Sequence, residues 1–158
     1  MGHRRLVLLR SKHAVAGDLE SEKGFFEGIA ATTGATGSVL NHDGSPETIR
    51  RAIPQILRRR PIPTGIFVLR ASTALVVVSE LIKIGARVPD DISVISRDSD
   101  HFLDYFSPGI ARYEADPRRH AQRLAKVVLH IAGKGLIQNP QIRLIARFRL
   151  EESLGKTR

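Results

Sequence analysis

Arg97, Asp98 and Asp100 follow directly on the apolar run Ile92-Ser93-Val94-Ile95, with no Gly, Pro or Asn to turn the chain between them. A strand that ends this way either enters a solvated loop or delivers a guanidinium and carboxylates to a ligand. Such groups bind hydroxyls, carboxylates and phosphates through charge-assisted hydrogen bonds. Three further cations sit just past other apolar runs: Arg10 and Lys12 after Arg5–Leu9, and Arg70 after Gly65–Leu69.

Other chemistries find no support. The six histidines have no i, i+4 pair and no HExxH, and the chain has no cysteine, so no metal site is expected. The glycine-rich stretch GIAATTGATG follows a helical pattern rather than a strand, which reads as a helix stop and turn, not a phosphate loop. Neither a GxSxG elbow nor a phosphate-loop lysine occurs. Nothing argues for an enzyme, and no cofactor is expected.

The elements that must position the charged residues alternate. Strands are predicted at Arg5–Leu9, Gly37–Leu40, Gly65–Leu69 and Asp91–Ser96. Between them come helical patterns. The first runs from Asp18 to Ala31, with Phe25, Phe26, Ile29 and Ala30 at helical spacing. The second is opened by Ser45-Pro46, with Pro54 expected to kink it or start a new turn, and the third is capped by Ser72 and stopped at Gly85. Strands apolar on both sides, alternating with helices, predict an α/β fold with a parallel sheet flanked by helices on both faces. Ligands of such sheets sit beyond the carboxyl ends of the strands, where Asp98 falls. After Gly109 come a short extended piece at Ile110–Tyr113, a helix from Asp116-Pro117 to Ala132 stopped by Gly133, and a last strand at Arg143–Leu150.

At 158 residues, 42% hydrophobic and 26% charged, the chain can bury one domain core. A net charge of +9 invites a nucleic-acid partner, but the basic residues are scattered except at Arg58–Arg60 and around Arg118-Arg119. With aromatics at 5%, no aromatic motif interleaves with them, so solvated helix faces are the favoured expectation over a phosphate-binding patch. Leu6–Leu9 is too short an apolar stretch for a signal peptide or a membrane span. A cytoplasmic location and no membrane partner are expected.

Several stretches resemble the effector-binding core of the LacI/GalR family of bacterial transcription regulators, a periplasmic-binding-protein-like type I fold. GHRRLVLL at Gly2–Leu9 resembles the opening of that core's second subdomain. EKGFFEGIA at Glu22–Ala30 resembles its R-x-x-G-F-x-x-A helix. Pro63–Asp100 resembles P-T-A-I-F-x-x-N-D-x-x-A-x-G followed by G-x-x-V-P-x-D-I-S-V-x-G-F-D-D, with RVPDDISVI the most specific piece. SPGIARYEADPRRHAQRLAKVVL resembles P-x-L-T-T-V-x-x-D-x-x-x-x-G-x-x-A. The resemblance implies an effector cleft with Asp98 accepting from hydroxyls. It also implies departures: Ser21 stands where the family has a ligand-contacting Arg, Arg70 and Ala71 replace the Asn-Asp pair, and Ser96-Arg97 replace the Gly-aromatic pair. Arg70 and Asp98 are expected to approach each other at the carboxyl edge. With Arg97, Arg10 and Lys12 nearby, the cleft is expected to be more cationic than usual. The effector is then sugar-like or anionic, or else the pair is purely structural and the sensor has lost its ligand.

By the same resemblance, residues 1–113 are the second subdomain. Residues 114–140 cross a hinge into a helix that packs on a first subdomain absent here, and 141–158 return. DNA would be bound only through a helix-turn-helix that this chain lacks. A homodimer is expected through the helix Ser72–Ile84 and the loop His101–Phe106, with Leu75, Val78, Ser79, Phe102, Tyr105 and Phe106 at the interface. A free-standing solute-binding protein of the same fold is the competing reading. The helix Asp116–Ala132 carries an apolar stripe of Ala121, Leu124, Ala125, Val128 and Ile131. It should dock on its own sheet, swap onto a second copy or be poorly ordered, and swapping is the favoured expectation.

Overall fold

The structure is a computed structural model that describes residues 1–135 and 144–157. Its elements run β1 (Arg5–Ser11), α1 (Ala16–Ala30), β2 (Thr36–His42), α2 (Pro46–Leu57), β3 (Gly65–Val68), α3 (Ala71–Lys83), β4 (Ser93–Ser96), a 3-10 turn (His101–Tyr105), β5 (Ala111–Glu114), α4 (Pro117–Lys134) and β6 (Arg147–Arg149). They form one six-stranded sheet of order β2-β1-β3-β4-β5-β6. The first five strands are parallel, and β6 pairs antiparallel with β5, Tyr113 facing Phe148. The expected α/β architecture is present. Arg143, the expected start of the last strand, lies outside the described residues.

Right-handed crossovers dictate which face each helix covers. The step from β1 out to β2 places α1 on one face, while the steps back through β3 to β4 place α2 and α3 together on the other. That second face holds the core: Val7 and Leu9 of β1, Ile66 and Val68 of β3 and Val94 of β4 meet Ile53 and Ile56 of α2 and Val77, Val78 and Leu81 of α3. The apolar side chains of α3 are therefore mostly consumed inside the chain, against the sheet and α2. The α1 face is thinner. Phe25 stacks on Phe67 at 6.5 Å between ring centroids, but beyond α1 a cavity of about 380 Å³ stays open over Leu6, Phe67, Ile95 and Tyr113.

Ser45 and Asp116 cap as predicted, and three helix ends are corrected. Ser45 accepts from the Thr48 N–H at 3.2 Å, and Asp116 accepts from the Arg118 and Arg119 N–H groups at 3.0 and 3.1 Å. Asp18 does not start α1 but lies one turn in, its carboxylate accepting the Val15 N–H at 3.2 Å. Ser72 does not cap α3: Arg70 takes that place with extended backbone and no side-chain cap bond, and Ser72 is inside the first turn. α4 runs through Gly133 and ends at Gly135, whose φ of +80° needs a residue without a Cβ. Helix α2 continues to Leu57 past Pro54.

Helix α4 does not dock on the sheet of its own chain. Leu124, Val128, Leu129 and Ile131 are all exposed, Leu129 by 71%, and among the described side chains of α4 only Val127 is half-buried.

Candidate functional site

Parallel strands align their carboxyl ends, so the residues after β1, β3 and β4 share one edge of the sheet. Arg97 is fixed there by its N–H donating to the Val68 carbonyl at 2.8 Å. The following turn is held by Ser96 Oγ, which donates to the Asp98 carbonyl at 2.7 Å. Arg70 arrives from the end of β3 as the residue capping α3.

Four charged side chains close into a ring at this edge. Arg70 places Nη1 3.3 Å from Asp98 Oδ2 and Nη2 3.1 Å from Asp18 Oδ2. Arg97 places Nη1 2.8 Å from Asp18 Oδ1 and Nε 2.9 Å from Asp98 Oδ1. The expected approach of Arg70 and Asp98 is thus present, but as one side of a four-membered network. Arg97 Nη1 also donates to Ser21 Oγ at 3.1 Å, which brings Ser21 into the same cluster.

Asp18 is the hub that sequence reasoning missed. It is the least exposed member, at 3% of its side chain. Burial by itself would raise its pKa. The Val15 N–H, the Arg97 hydrogen bond and the charges of Arg70 and Arg97 outweigh that, so the carboxyl titrates below its ordinary value. Its place in the first turn of α1 reads locally as a helix-start acid. No spacing rule connects it to partners 52 and 79 residues away.

The other expected cations do not join. Arg10 pairs with Glu22 and donates from Nε to Asn41 at 3.3 Å. Lys12 is exposed, and its backbone N–H donates to the His42 carbonyl at 2.7 Å. With two guanidiniums matched to two carboxylates and Arg10 matched to Glu22, the edge is close to neutral. Among the described residues of this edge the expected cationic excess is not there, because Arg10, Arg70 and Arg97 have each found an acid.

A second network stands beside the first. Arg112 of β5, 2% exposed, contacts Asp104, reaches Glu114 at 3.1 Å and donates to Ser99 at 3.2 Å and to the Ile110 carbonyl at 3.3 Å. Arg149 of β6 joins Asp104 and Glu114 at 3.2 and 3.1 Å. The hydrogen bond from Arg112, with the charges of Arg112 and Arg149, lowers the Asp104 pKa. Between the two networks opens a cavity of about 580 Å³ lined by Arg97, Asp98, Ser99, Asp104, Arg112 and Glu114, among others. Its size suits a small polar molecule. Among the described residues no cluster of His, Cys, Asp and Glu is arranged to hold a metal ion.

The expected interface residues are split. Val78 is fully buried in the core and presents no surface, which removes it from any interface. Leu75 is half-buried and Ser79 exposed on α3. Phe106 packs against the core, whereas Phe102 is exposed and Tyr105 is 79% exposed. Among the described residues no helix is long and apolar enough to cross a membrane.

Comparison with known proteins gives a consistent answer. The family model for the periplasmic binding protein-like domain matches residues 1–153. The HTH-type transcriptional repressor PurR of Vibrio atlanticus (strain LGP32) is 27% identical over 130 residues, covering 81% of this chain and 39% of the relative. The chain thus spans well under two thirds of the curated relatives it matches. A LacI family transcriptional regulator from Bifidobacterium animalis subsp. lactis superposes with a TM-score of 0.88 at 20% identity, over 99% of this chain and 57% of that one. A LacI family regulator from Arthrobacter sp. FB24, solved in complex with lactose, superposes with a TM-score of 0.80 at 22% identity, over 97% of this chain and 57% of that one.

Proposed function

The chain belongs to the periplasmic-binding-protein-like domain family, as an effector-binding domain of LacI/GalR type, and on that premise we propose that it senses a small polar molecule for a transcription regulator. The ligand occupies the cavity between the two ion networks, at the carboxyl ends of β4 and β5. Asp98, 37% exposed, accepts from ligand hydroxyls; Arg70, Arg97 and Ser21 orient it. Arg10 and Lys12 lie at the same edge and play at most a peripheral part. No catalytic chemistry, metal or cofactor enters this reading. DNA is contacted only through a helix-turn-helix outside this chain, in the cytoplasm, with residues 1–113 as the second subdomain and 114–140 crossing to the first.

The carrying observation is the Arg70–Asp98 pair at 3.3 Å on the ligand edge of this fold. Charge neutrality of the ring favours a neutral, sugar-like ligand over an anionic metabolite, because an anion would find no unmatched guanidinium beside Asp98. Calorimetric titration with a panel of neutral sugars and nucleobases beside sugar phosphates tests this. Binding of a neutral compound that Asp98→Ala abolishes supports the reading, and saturable binding of phosphorylated compounds alone would reverse the ligand class. Binding of nothing favours the second reading, a domain in which the ring is a structural lock. That reading draws on the fact that among the described residues every fully buried side-chain polar atom has a partner. A solute-binding protein of the same fold would also bind such a ligand and would differ in acting without DNA.

A homodimer through the exposed edge of α3 and the 3-10 turn belongs to the same proposal. Leu75, Ser79, Phe102 and Tyr105 are its contact residues, with Phe106 supporting from below and Val78 excluded. Sedimentation at high micromolar concentration should show dimer, and Tyr105→Asp should return it to monomer.

A further inference from the structure

The opposite end of the sheet holds arginines in a different situation. Arg5 opens β1, and Arg59 and Arg60 follow α2; together with Thr36, Ser38 and Pro61 they line a cavity of about 320 Å³ at the amino ends of β1 and β2. No carboxylate lines it, and among the described residues none of Arg5, Arg59 and Arg60 forms an ion pair.

These guanidiniums are nevertheless anchored. Arg5 Nε donates to the Ile62 carbonyl at 2.7 Å, and Arg59 Nη1 donates to Ser38 Oγ at 2.5 Å. Arg60 Nη1 donates to the Leu57 and Arg59 carbonyls at 3.2 and 2.9 Å. A guanidinium has five N–H donors, so each retains most of them after these bonds. Neutral acceptors hold the forks in place without cancelling their charge. Like charges gathered and fixed this way repel one another, and a bound anion relieves that repulsion while meeting pre-set donors.

We infer that this amino-edge cavity binds a phosphate-bearing molecule through Arg5, Arg59 and Arg60, with Thr36 and Ser38 supplying hydroxyls. Strand β1 is seven residues long, which sets this site roughly 20 Å from the carboxyl-edge cavity. It is a second site, independent of the proposed effector. The cavity is at the small end of ligand pockets, which fits a phosphorylated small molecule. The same chemistry would take one phosphate of a nucleic-acid backbone.

Two probes separate those sources: inorganic tripolyphosphate and a twelve-nucleotide DNA strand, each titrated calorimetrically into the full chain at fixed salt. Arg59→Gln with Arg60→Gln should weaken the binding probe about ten-fold or more, from lost charge-assisted bonds. Arg50→Gln with Arg51→Gln removes two exposed charges of α2 that do not line the cavity, and should leave binding within about two-fold. Tripolyphosphate binding with that pattern supports the site for a free phosphorylated compound, and DNA binding alone with that pattern supports it with a backbone phosphate. Equal weakening by both pairs, or saturable binding of neither probe, overturns it. Amide chemical shifts of the unmutated chain give a reading independent of variant folding. Whichever probe binds must move Ser38 and Arg59 and leave Asp98 and Arg70 in place, and the reverse would overturn the proposal.

Discussion

At the carboxyl end of the sheet Arg70, Arg97, Arg112 and Arg149 all meet carboxylates; at the amino end Arg5, Arg59 and Arg60 meet carbonyls and a hydroxyl. The residue type is the same and the physics is not. A guanidinium matched by an acid can be drawn into the protein, because the pair's attraction and hydrogen bonds repay part of the desolvation cost. One held by neutral acceptors must keep access to water or to an anion. Arg112 shows the first outcome at 2% exposed, and exposed Arg60 shows the second. The matched end should therefore carry stability, and the unmatched end should carry almost none.

The largest expected effect is at Arg112. Arg112→Met keeps much of the side-chain volume but strips Asp104 and Glu114 of their buried partner, leaving Arg149 alone between them. Unfolding in urea should show a loss of about 2–3 kcal/mol, since the bond to the buried Ile110 carbonyl and the charge-assisted bonds to Asp104 and Glu114 go at once, while the two acids, partly in water, keep Arg149. A loss below about 1 kcal/mol would erase the contrast between the two ends.

Asp18→Asn comes next. It keeps the shape and removes the charge shared by Arg70 and Arg97, and should cost about 2 kcal/mol at neutral pH, the worth of hydrogen bonds to a charged group. Its pH dependence has a fixed sign. The folded carboxyl titrates below its unfolded value, so the stability it contributes is complete above the unfolded value of about 3.9. That contribution is lost as pH falls through the folded value. The gap between wild type and Asp18→Asn should be constant from pH 7 to 5 and narrow below about pH 4. A gap that widens in acid would show that burial, not the arginines, governs Asp18.

Arg70→Ala should do less to stability and more to binding. At 42% exposed, its pair with Asp98 is screened by water and should contribute no more than about 1 kcal/mol. The proposed ligand should nonetheless weaken about ten-fold, since Arg70 holds the carboxylate that meets it. Loss of stability without loss of binding would move Arg70 from ligand orientation to scaffold.

What the sequence disclosed follows from the range of the signals. Strands β1 to β4 were legible because apolar runs such as Leu6–Leu9 and Ile92–Ile95 are local, and a parallel sheet then aligns their ends. The approach of Arg70 to Asp98 followed from that alignment alone. The partner that closes the ring, Asp18, comes from another helix, and nothing local reports a contact made by folding. Arg112 was hidden for the same reason, inside a piece read only as extended. Local cues failed where tertiary contacts outvoted them. Ser72 is a good capping residue in isolation, but Arg70, held by Asp18 and Asp98, fixes the extended backbone that starts α3 two residues earlier. Gly133 and Gly135 are equally plausible stops by type, and only the backbone of Gly135 takes the left-handed turn. The stripe on α4 was legible from its spacing, and of the three fates expected for it, docking on the chain's own sheet is the one that the exposed Leu124 and Val128 remove.

The smallest effect belongs to the amino end. Arg59→Gln with Arg60→Gln removes two of the charges that make up a net +9. It costs the bonds to Ser38, to Leu57 and within the turn, each worth roughly some tenths of a kcal/mol at half-buried Arg59 and exposed Arg60, and it relieves the repulsion of these two charges with neighbouring Arg5 and Arg58. The two contributions have opposite signs, so the net change should stay within about 0.5 kcal/mol, of either sign. Salt separates them. Repulsion between exposed charges is screened over about 10 Å at 0.1 M ionic strength, whereas the bonds to carbonyls persist. The double variant should therefore gain on wild type in low salt and fall slightly behind in high salt, read as melting temperatures at 10 and 500 mM sodium chloride. A salt-independent loss above about 1.5 kcal/mol would mean that these arginines hold the turn after α2 as firmly as Arg112 holds β5. The two ends of the sheet would then differ in their partners but not in what the arginines do.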